Sequence, residues 1–199
     1  MSSIALIDSG VANIGSVRAA LEREGASVTV TRDWDTIARA PRVILPGVGA
    51  AAAAMRELDA LGLSARLPTL TQPVLGVCLG MQLMFASSEE GGQTRCLGLF
   101  DSAIRRLQAS ETARVPHMGW NALKPLRAHP LIDGLDERSY AYFVHSFAAP
   151  VSELTLASCD HGQPFSAIVA RANFMGAQFH PERSAEVGAR LIRNFLALS

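Results

Sequence analysis

The chain has 199 residues, 49% of them hydrophobic and 18% charged, with Lys+Arg and Asp+Glu both totalling 18. That is enough apolar sequence for one sizeable core, and no linker or low-complexity tract divides it, so one domain over residues 1–199 is expected. The balanced charge gives no basic field for nucleic acid or an anionic membrane surface. No apolar run reaches the roughly 18 residues of a membrane span. In chain order, Ser3–Asp8 reads as a strand, Asn13–Glu24 as a helix, Ala26–Thr31 and Arg42–Pro46 as strands, and Ala50–Leu61 as a helix. Pro73–Val77 reads as a strand and Leu79–Ala86 as a helix. Strand-helix alternation with near-continuous apolar strands predicts an α/β fold, a mostly parallel sheet covered by helices on both faces. From about Ala103 the character changes to successive short strands, Ala103–Leu107, Trp120–Lys124, Tyr140–Val144, Leu154–Cys159, Phe165–Arg171 and Phe174–Gln178, which predict an antiparallel extension of that sheet. A last helix is expected over Ala185–Leu198.

Cys78, Cys96 and Cys159 are an odd number, widely spaced and without a C-x-x-C pair, so neither a disulfide framework nor a zinc site is indicated. A reducing cytoplasm fits, as does an N-terminus that meets Asp8 without a preceding basic stretch. No cofactor or metal is expected. Cys78 stands apart from the other two because it sits in Gly76-Val77-Cys78-Leu79-Gly80, between an apolar strand and an apolar helix. This is the pattern of a nucleophile elbow with sulfur in place of oxygen. Glycines two residues either side clear space for a sharp strand-to-helix turn that presents the nucleophile at the helix N-terminus, where free N–H groups favour thiolate. A lone cysteine is more often inert core, and the paired glycines reverse that balance.

A thiol nucleophile needs a base, and five histidines are available: His117, His129, His145, His161 and His180. His180 opens His-Pro-Glu directly after a predicted strand. A residue before proline is driven to an extended backbone, and in extended chain the side chains at i and i+2 share a face, so Glu182 is expected to fix the tautomer of His180. The bland alternative is a surface histidine beside an incidental acid. His117 and His145 are placed to line a cleft, while His129 and His161 lie in turn-like stretches and are expected to be exposed. Attack on a carbonyl also needs oxyanion donors. The N–H of Leu79 is one, and the backbone of Pro46-Gly47-Val48-Gly49, at the end of a predicted strand, offers Val48 and Gly49 as the other; taken alone, that stretch reads equally as a plain turn.

With these pieces in place the chain resembles the triad glutamine amidotransferases, a flavodoxin-like class I family marked by Gly-x-Cys-x-Gly followed far downstream by His-Pro-Glu. Within that family it is most similar to the glutaminase subunits of imidazole glycerol phosphate synthase. The narrower likeness rests on Pro46-Gly47-Val48-Gly49, Gly80-Met81-Gln82, Ser88-Glu89-Glu90, Pro116-His117-Met118-Gly119-Trp120-Asn121 and Tyr142-Phe143-Val144-His145-Ser146. The resemblance implies Cys78 as nucleophile, His180 as base and then acid, and Glu182 as its orienter. It implies that Gly47, Gly49, Gln82 and Glu90, with His145, Ser146 and Phe147, hold L-glutamine. Without it, Gln82 and Glu90 read as polar residues of a helix and a loop. It further implies a heterodimer with a (β/α)₈ cyclase subunit, facing it through Asn13 and Trp120, which receives the ammonia and completes a step of histidine biosynthesis. Asp8-Ser9-Gly10-Val11-Ala12-Asn13 departs from the family's usual loop, lacking its Tyr and second glycine. Three alternatives stay open: an anthranilate-type amidotransferase subunit, a non-catalytic homologue, and a thiol hydrolase of α/β-hydrolase type, in which the acid would precede the histidine.

Overall fold

A computed structural model describes residues 2–8, 10 and 13–198. Its first strand, β1 (Ser2–Ile7), sets the layering. Ile4 and Leu6 enter one core and Ala5 and Ile7 the other, as the two-residue period of extended chain requires. α1 (Ile14–Arg23) is started by Asn13, whose side chain accepts from Ser16 N, and it buries Val17, Ala20 and Leu21 against the first core. β2 (Ala26–Thr31) follows, and then a helix not expected from the sequence, α2 (Trp34–Arg39). Asp33 caps α2, but only Ile37 is buried, so its six residues show no periodicity to read. β3 (Val43–Gly47), α3 (Ala51–Ala60), β4 (Val74–Cys78) and α4 (Leu79–Leu83) complete the first half.

The second half holds β5 (Phe85–Ser88), β6 (Thr94–Arg95), β7 (Phe100–Arg106), β8 (His117–Ala122), β9 (Lys124–Pro125), β10 (Tyr140–His145) and β11 (Phe147–Ala148). β12 (Thr155–Asp160), β13 (Pro164–Arg171), β14 (Phe174–Ala177) and α5 (Ala185–Ala197) end the chain. The main sheet runs β2-β1-β3-β4-β14-β13-β12-β9. The strands from β2 to β14 are parallel, and β13, β12 and β9 extend them antiparallel. The first core, under α1 and α5, and the second, under α2 and α3, lie on its two faces. Among the described residues no helix is long and apolar enough to cross a membrane.

Three expectations change in detail. The helix expected to reach Ala86 ends at Leu83, because carbonyls that would continue it are taken by a distant segment: Leu83 O accepts from Leu97 N, and Met84 O from Leu99 N and Phe100 N. Phe85 onward becomes a strand of a separate sheet, β11-β7-β5-β6, with Phe85 edge-on to Phe100. The stretches around Trp120 and Tyr140 do not join the main sheet but pair as a two-stranded ribbon, β8 with β10. β12, β13 and β14 are buried along nearly their whole length and belong inside a covered sheet, whereas the ribbon buries Ala141, Phe143 and His145 on one face only and leaves Met118, Trp120 and Tyr140 exposed.

Candidate active site

At the carboxyl end of β4 the backbone of Cys78 is driven to φ 53°, ψ −112°, a conformation that costs any residue with a Cβ about 1–3 kcal/mol and persists only when its surroundings enforce it. The glycines enforce it here. A Cβ on Gly80 would lie 1.8 Å from Leu45 O, and one on Gly76 would lie 2.7 Å from Gly80 O, so only hydrogen at both positions lets α4 turn back against β3 and β4. The same β3 ends with Gly47 in register with Cys78, which brings Val48 and Gly49 beside the thiol. Carboxyl ends of parallel strands are where open α/β sheets hold their ligands.

β14 leads to His180. Its backbone is fixed by His180 N donating to Tyr142 O at 3.0 Å and by Ser184 Oγ donating to His180 O at 2.7 Å. Nδ1 meets Glu182 Oε1 at 2.9 Å, and the Glu182 side chain is only 4% exposed. The expected partnership is present, by a different route: Pro181–Arg183 is a 3₁₀ turn rather than extended chain, and the turn carries Glu182 back under the ring. With Nδ1 engaged, Nε2 is the nitrogen left for the thiol. Burial by itself lowers the His180 pKa, but hydrogen bonds to Cys78 and Glu182 and their charges outweigh it and raise the imidazole to about 10. The other two thiols are a contrast. Burial pushes Cys96 up to about 11 and Cys159 up to about 12, so both stay protonated and inert.

Around the thiol is a pocket of about 180 Å³ lined by Val48, Gly49, Cys78, Leu79, Gln82, Glu90, Val144, His145, Ser146, Phe147 and His180. It therefore gathers the residues singled out from sequence for nucleophile, base, oxyanion donors and substrate contacts, except Gly47, which packs against Leu79 and Gly80, and Glu182, which engages His180. Gly49, at φ +88° with open space around it, keeps its peptide free to turn. Gln82 and Glu90 are not idle surface groups. Glu90 Oε2 accepts from Ala51 N at 2.9 Å, capping α3, which lacks a side-chain cap of its own. Gln82 is buried, and its Nε2 donates to Phe147 O at 2.8 Å and Gln178 Oε1 at 3.0 Å. Gln178 escaped the sequence reading because it ends an apolar strand. Its signal was the same two-residue period applied backwards from His180, and its Nε2 lies 3.9 Å from Cys78 Sγ.

His117 and His145 face each other across the ribbon, Nδ1 to Nε2 at 3.0 Å. His129 and His161 are half-buried rather than exposed; His161 stacks on His117 and donates to Arg114 O, while His129 Nδ1 accepts from Leu131 N. Burial first, then neighbouring histidines, lowers His117 to about 3; burial likewise takes His145 to about 4. Both are depressed below an unfolded value near 6.5, so the stability they confer is complete above that pH and is lost as pH falls through about 4 and then about 3. We expect ring-proton NMR to find both neutral at pH 5.5. A midpoint above pH 6 for either would contradict the geometry.

Outside the pocket, Met118 at 64% and Trp120 and Tyr140 at 53% exposure form an apolar patch on the ribbon, with Trp120 6.0 Å from Tyr142. Exposed patches of this kind mark interaction sites. Met118 and Tyr140 were not singled out from sequence. Asn13 is exposed as well as capping α1. In the atypical loop, Ser9, Val11 and Ala12 fall outside the described residues. Among the described residues no group of three or more His, Cys, Asp or Glu side chains is gathered as a metal would need.

A five-strand parallel core in the order β2-β1-β3-β4-β14, with a strained cysteine at one carboxyl end and a carboxylate-backed histidine beyond the next, is an α/β fold that carries cysteine, histidine and glutamate in a triad arrangement. The class-I glutamine amidotransferase family matches residues 5–198, and the chain belongs to that family. Over 199 residues, 100% of this chain and 99% of the relative, it is 54% identical to imidazole glycerol phosphate synthase subunit HisH of Xanthomonas axonopodis pv. citri (strain 306). Subunit HisH of Xylella fastidiosa (strain Temecula1 / ATCC 700964) is 53% identical over 198 residues, with 100% and 98% covered. Among solved structures, a glutamine amidotransferase superposes with a TM-score of 0.74 at 18% identity, 96% of each chain covered. PurLQS from Thermotoga maritima gives 0.73 at 18%, with 98% and 97% covered. At that identity the solved structures bear on the fold alone.

Proposed function

We propose that this chain is the glutaminase subunit of an imidazole glycerol phosphate synthase, working in the cytoplasm as a heterodimer with a (β/α)₈ cyclase. The observation that carries the chemistry is His180, clamped by Glu182 at 2.9 Å and raised to about 10 beside Cys78. Cys78 thiolate attacks the side-chain carbonyl of L-glutamine, forming a C–S bond and an oxyanion held by the N–H groups of Leu79 and of Val48 or Gly49. His180 gives its proton to the amide nitrogen, the C–N bond breaks, and ammonia leaves. Neutral His180 then takes a proton from water, hydroxide adds to the thioester, and the C–S bond breaks to release glutamate and restore the thiolate. Glu90 and the free Oε1 of Gln82 are suited to the amino end of glutamine. Asn13 and the Met118–Trp120–Tyr140 patch are the surface for the cyclase, through whose barrel the ammonia passes to make imidazole glycerol phosphate and an aminoimidazole carboxamide ribotide.

Glutamate release from L-glutamine, measured for this chain alone and with a cyclase subunit and its ribonucleotide substrate, tests the reading. Strong release in the full mixture is expected. Release that is the same with or without the cyclase would reject the partnership, and none in any mixture would reject the activity.

A further inference from the structure

The hydrogen bonds around the thiol continue well beyond the triad, and their direction is fixed by atoms that have no choice. Phe147 O can only accept. His145 Nδ1, 2.9 Å from it, therefore carries the ring proton, which leaves His145 Nε2 as an acceptor. His117 Nδ1, 3.0 Å away, must then donate, so His117 Nε2 accepts from Asn121 Nδ2 at 3.3 Å. Asn121 Nδ2 also donates to Asp160 O at 2.8 Å, which fixes the orientation of that amide. From the other side Gln82 Nε2 donates to the same Phe147 O and to Gln178 Oε1, so Gln178 must present its N–H₂ to the sulfur. Gln178 is fully buried, and Gln178 N is bound to Ala167 O at 2.8 Å, so it has no other place to go.

We propose that Gln178 is the amide donor that holds the Cys78 sulfur as a thiolate, and that Gln82, anchored on the Phe147 carbonyl, keeps it turned that way, while His145, held by His117 and Asn121, ties that carbonyl down from the other side. Among the described residues the sulfur has two polar neighbours besides His180. Val144 O, at 4.0 Å, receives the S–H when the thiol is protonated, and Gln178 Nε2, at 3.9 Å, donates when it is not. The amide thus favours the charged form without being able to take its proton, which a second histidine in that place would do.

The inference rests on the glutaminase reading for its purpose but not for its test, which reads the thiol directly. Alkylation of the full-length chain by iodoacetamide is followed against pH, with Cys78→Ser to assign the modified site; Cys96 and Cys159, which burial pushes up to about 11 and about 12, stay protonated near neutral pH. In Gln178→Met the alkylation profile is expected to move up by about one pH unit and the rate at pH 7 to fall about tenfold, the effect of losing one hydrogen bond to a charged group. Gln82→Met, which lets the Gln178 amide turn, is expected to move it in the same direction by less, and it keeps the test open if Gln178→Met does not fold. Circular dichroism reports folding. A folded Gln178→Met, or failing that a folded Gln82→Met, whose profile superimposes on the wild type overturns the proposal, whatever glutamate release shows. No glutamate release from the wild type, with the Cys78 alkylation profile still shifted in Gln178→Met, would count against the glutaminase reading instead.

Discussion

Cys78→Ser loses glutamate release by about four orders of magnitude or more in the presence of the cyclase, the scale seen when a triad nucleophile is removed. The serine hydroxyl occupies nearly the same space, so the loss is chemical. Beside the thiol and Glu182 the imidazole is raised to about 10, a strong acceptor for a thiol proton, whereas a hydroxyl does not ionise at neutral pH. The backbone at position 78 stays at φ 53° in Ser as in Cys, so the melting temperature is expected to stay within a degree or two. Cys78→Gly is equally inactive but more stable, by about 1 kcal/mol, because glycine adopts that backbone without strain. Glutamate release and urea unfolding, measured on both variants, separate the two effects. A serine variant that is inactive only because it is unfolded would remove the argument for Cys78 as nucleophile.

Gly80→Ala is expected to be the most damaging single methyl in the site. The new Cβ would stand 1.8 Å from Leu45 O and 2.8 Å from Leu45 C, atoms of a central strand that is itself fixed by register with β1 and β4. No side chain can swing away, so α4 must lift off β3 and the turn at Cys78 must open. Overpacking of this kind costs about 3 kcal/mol or leaves no soluble folded protein. Gly15→Ala is the control. Nothing lies within 4 Å of a Cβ at Gly15, which sits in α1, and alanine there is expected to stabilise by about 0.5–1 kcal/mol. A Gly80→Ala protein with wild-type urea midpoint would show that the elbow does not need its glycine.

The elbow was legible because three signals overlap within five residues: an apolar strand, glycines at both flanks of Cys78, and an apolar start to the next helix. His180 and Glu182 were legible as a tripeptide, although the reason they meet is a 3₁₀ turn that the sequence does not announce. What escaped depends on distant partners. α4 stops at Leu83 because residues 97–100 bind its last carbonyls, and nothing within 79–86 says so. The division of the later strands among three sheets is likewise a matter of which faces are covered, and alternation in a single strand cannot name its neighbour. Gln178 lay at the end of an apolar run and read as its boundary.

The β8–β10 ribbon has a consequence for how the chain can vary. His117 and His145 point inward from directly opposed positions, while Met118, Trp120, Tyr140 and Tyr142 lie on the outer face. A strand's faces alternate residue by residue, so a single insertion within either strand would exchange them, sending a histidine to solvent and an aromatic into the pocket wall. Within β10 it would also displace Tyr142 O, on which His180 N hangs. The exposed apolar face, the paired histidines and the backbone of His180 are therefore held in one register: length changes have room at exposed positions between the two strands, such as 136–138, and none within them.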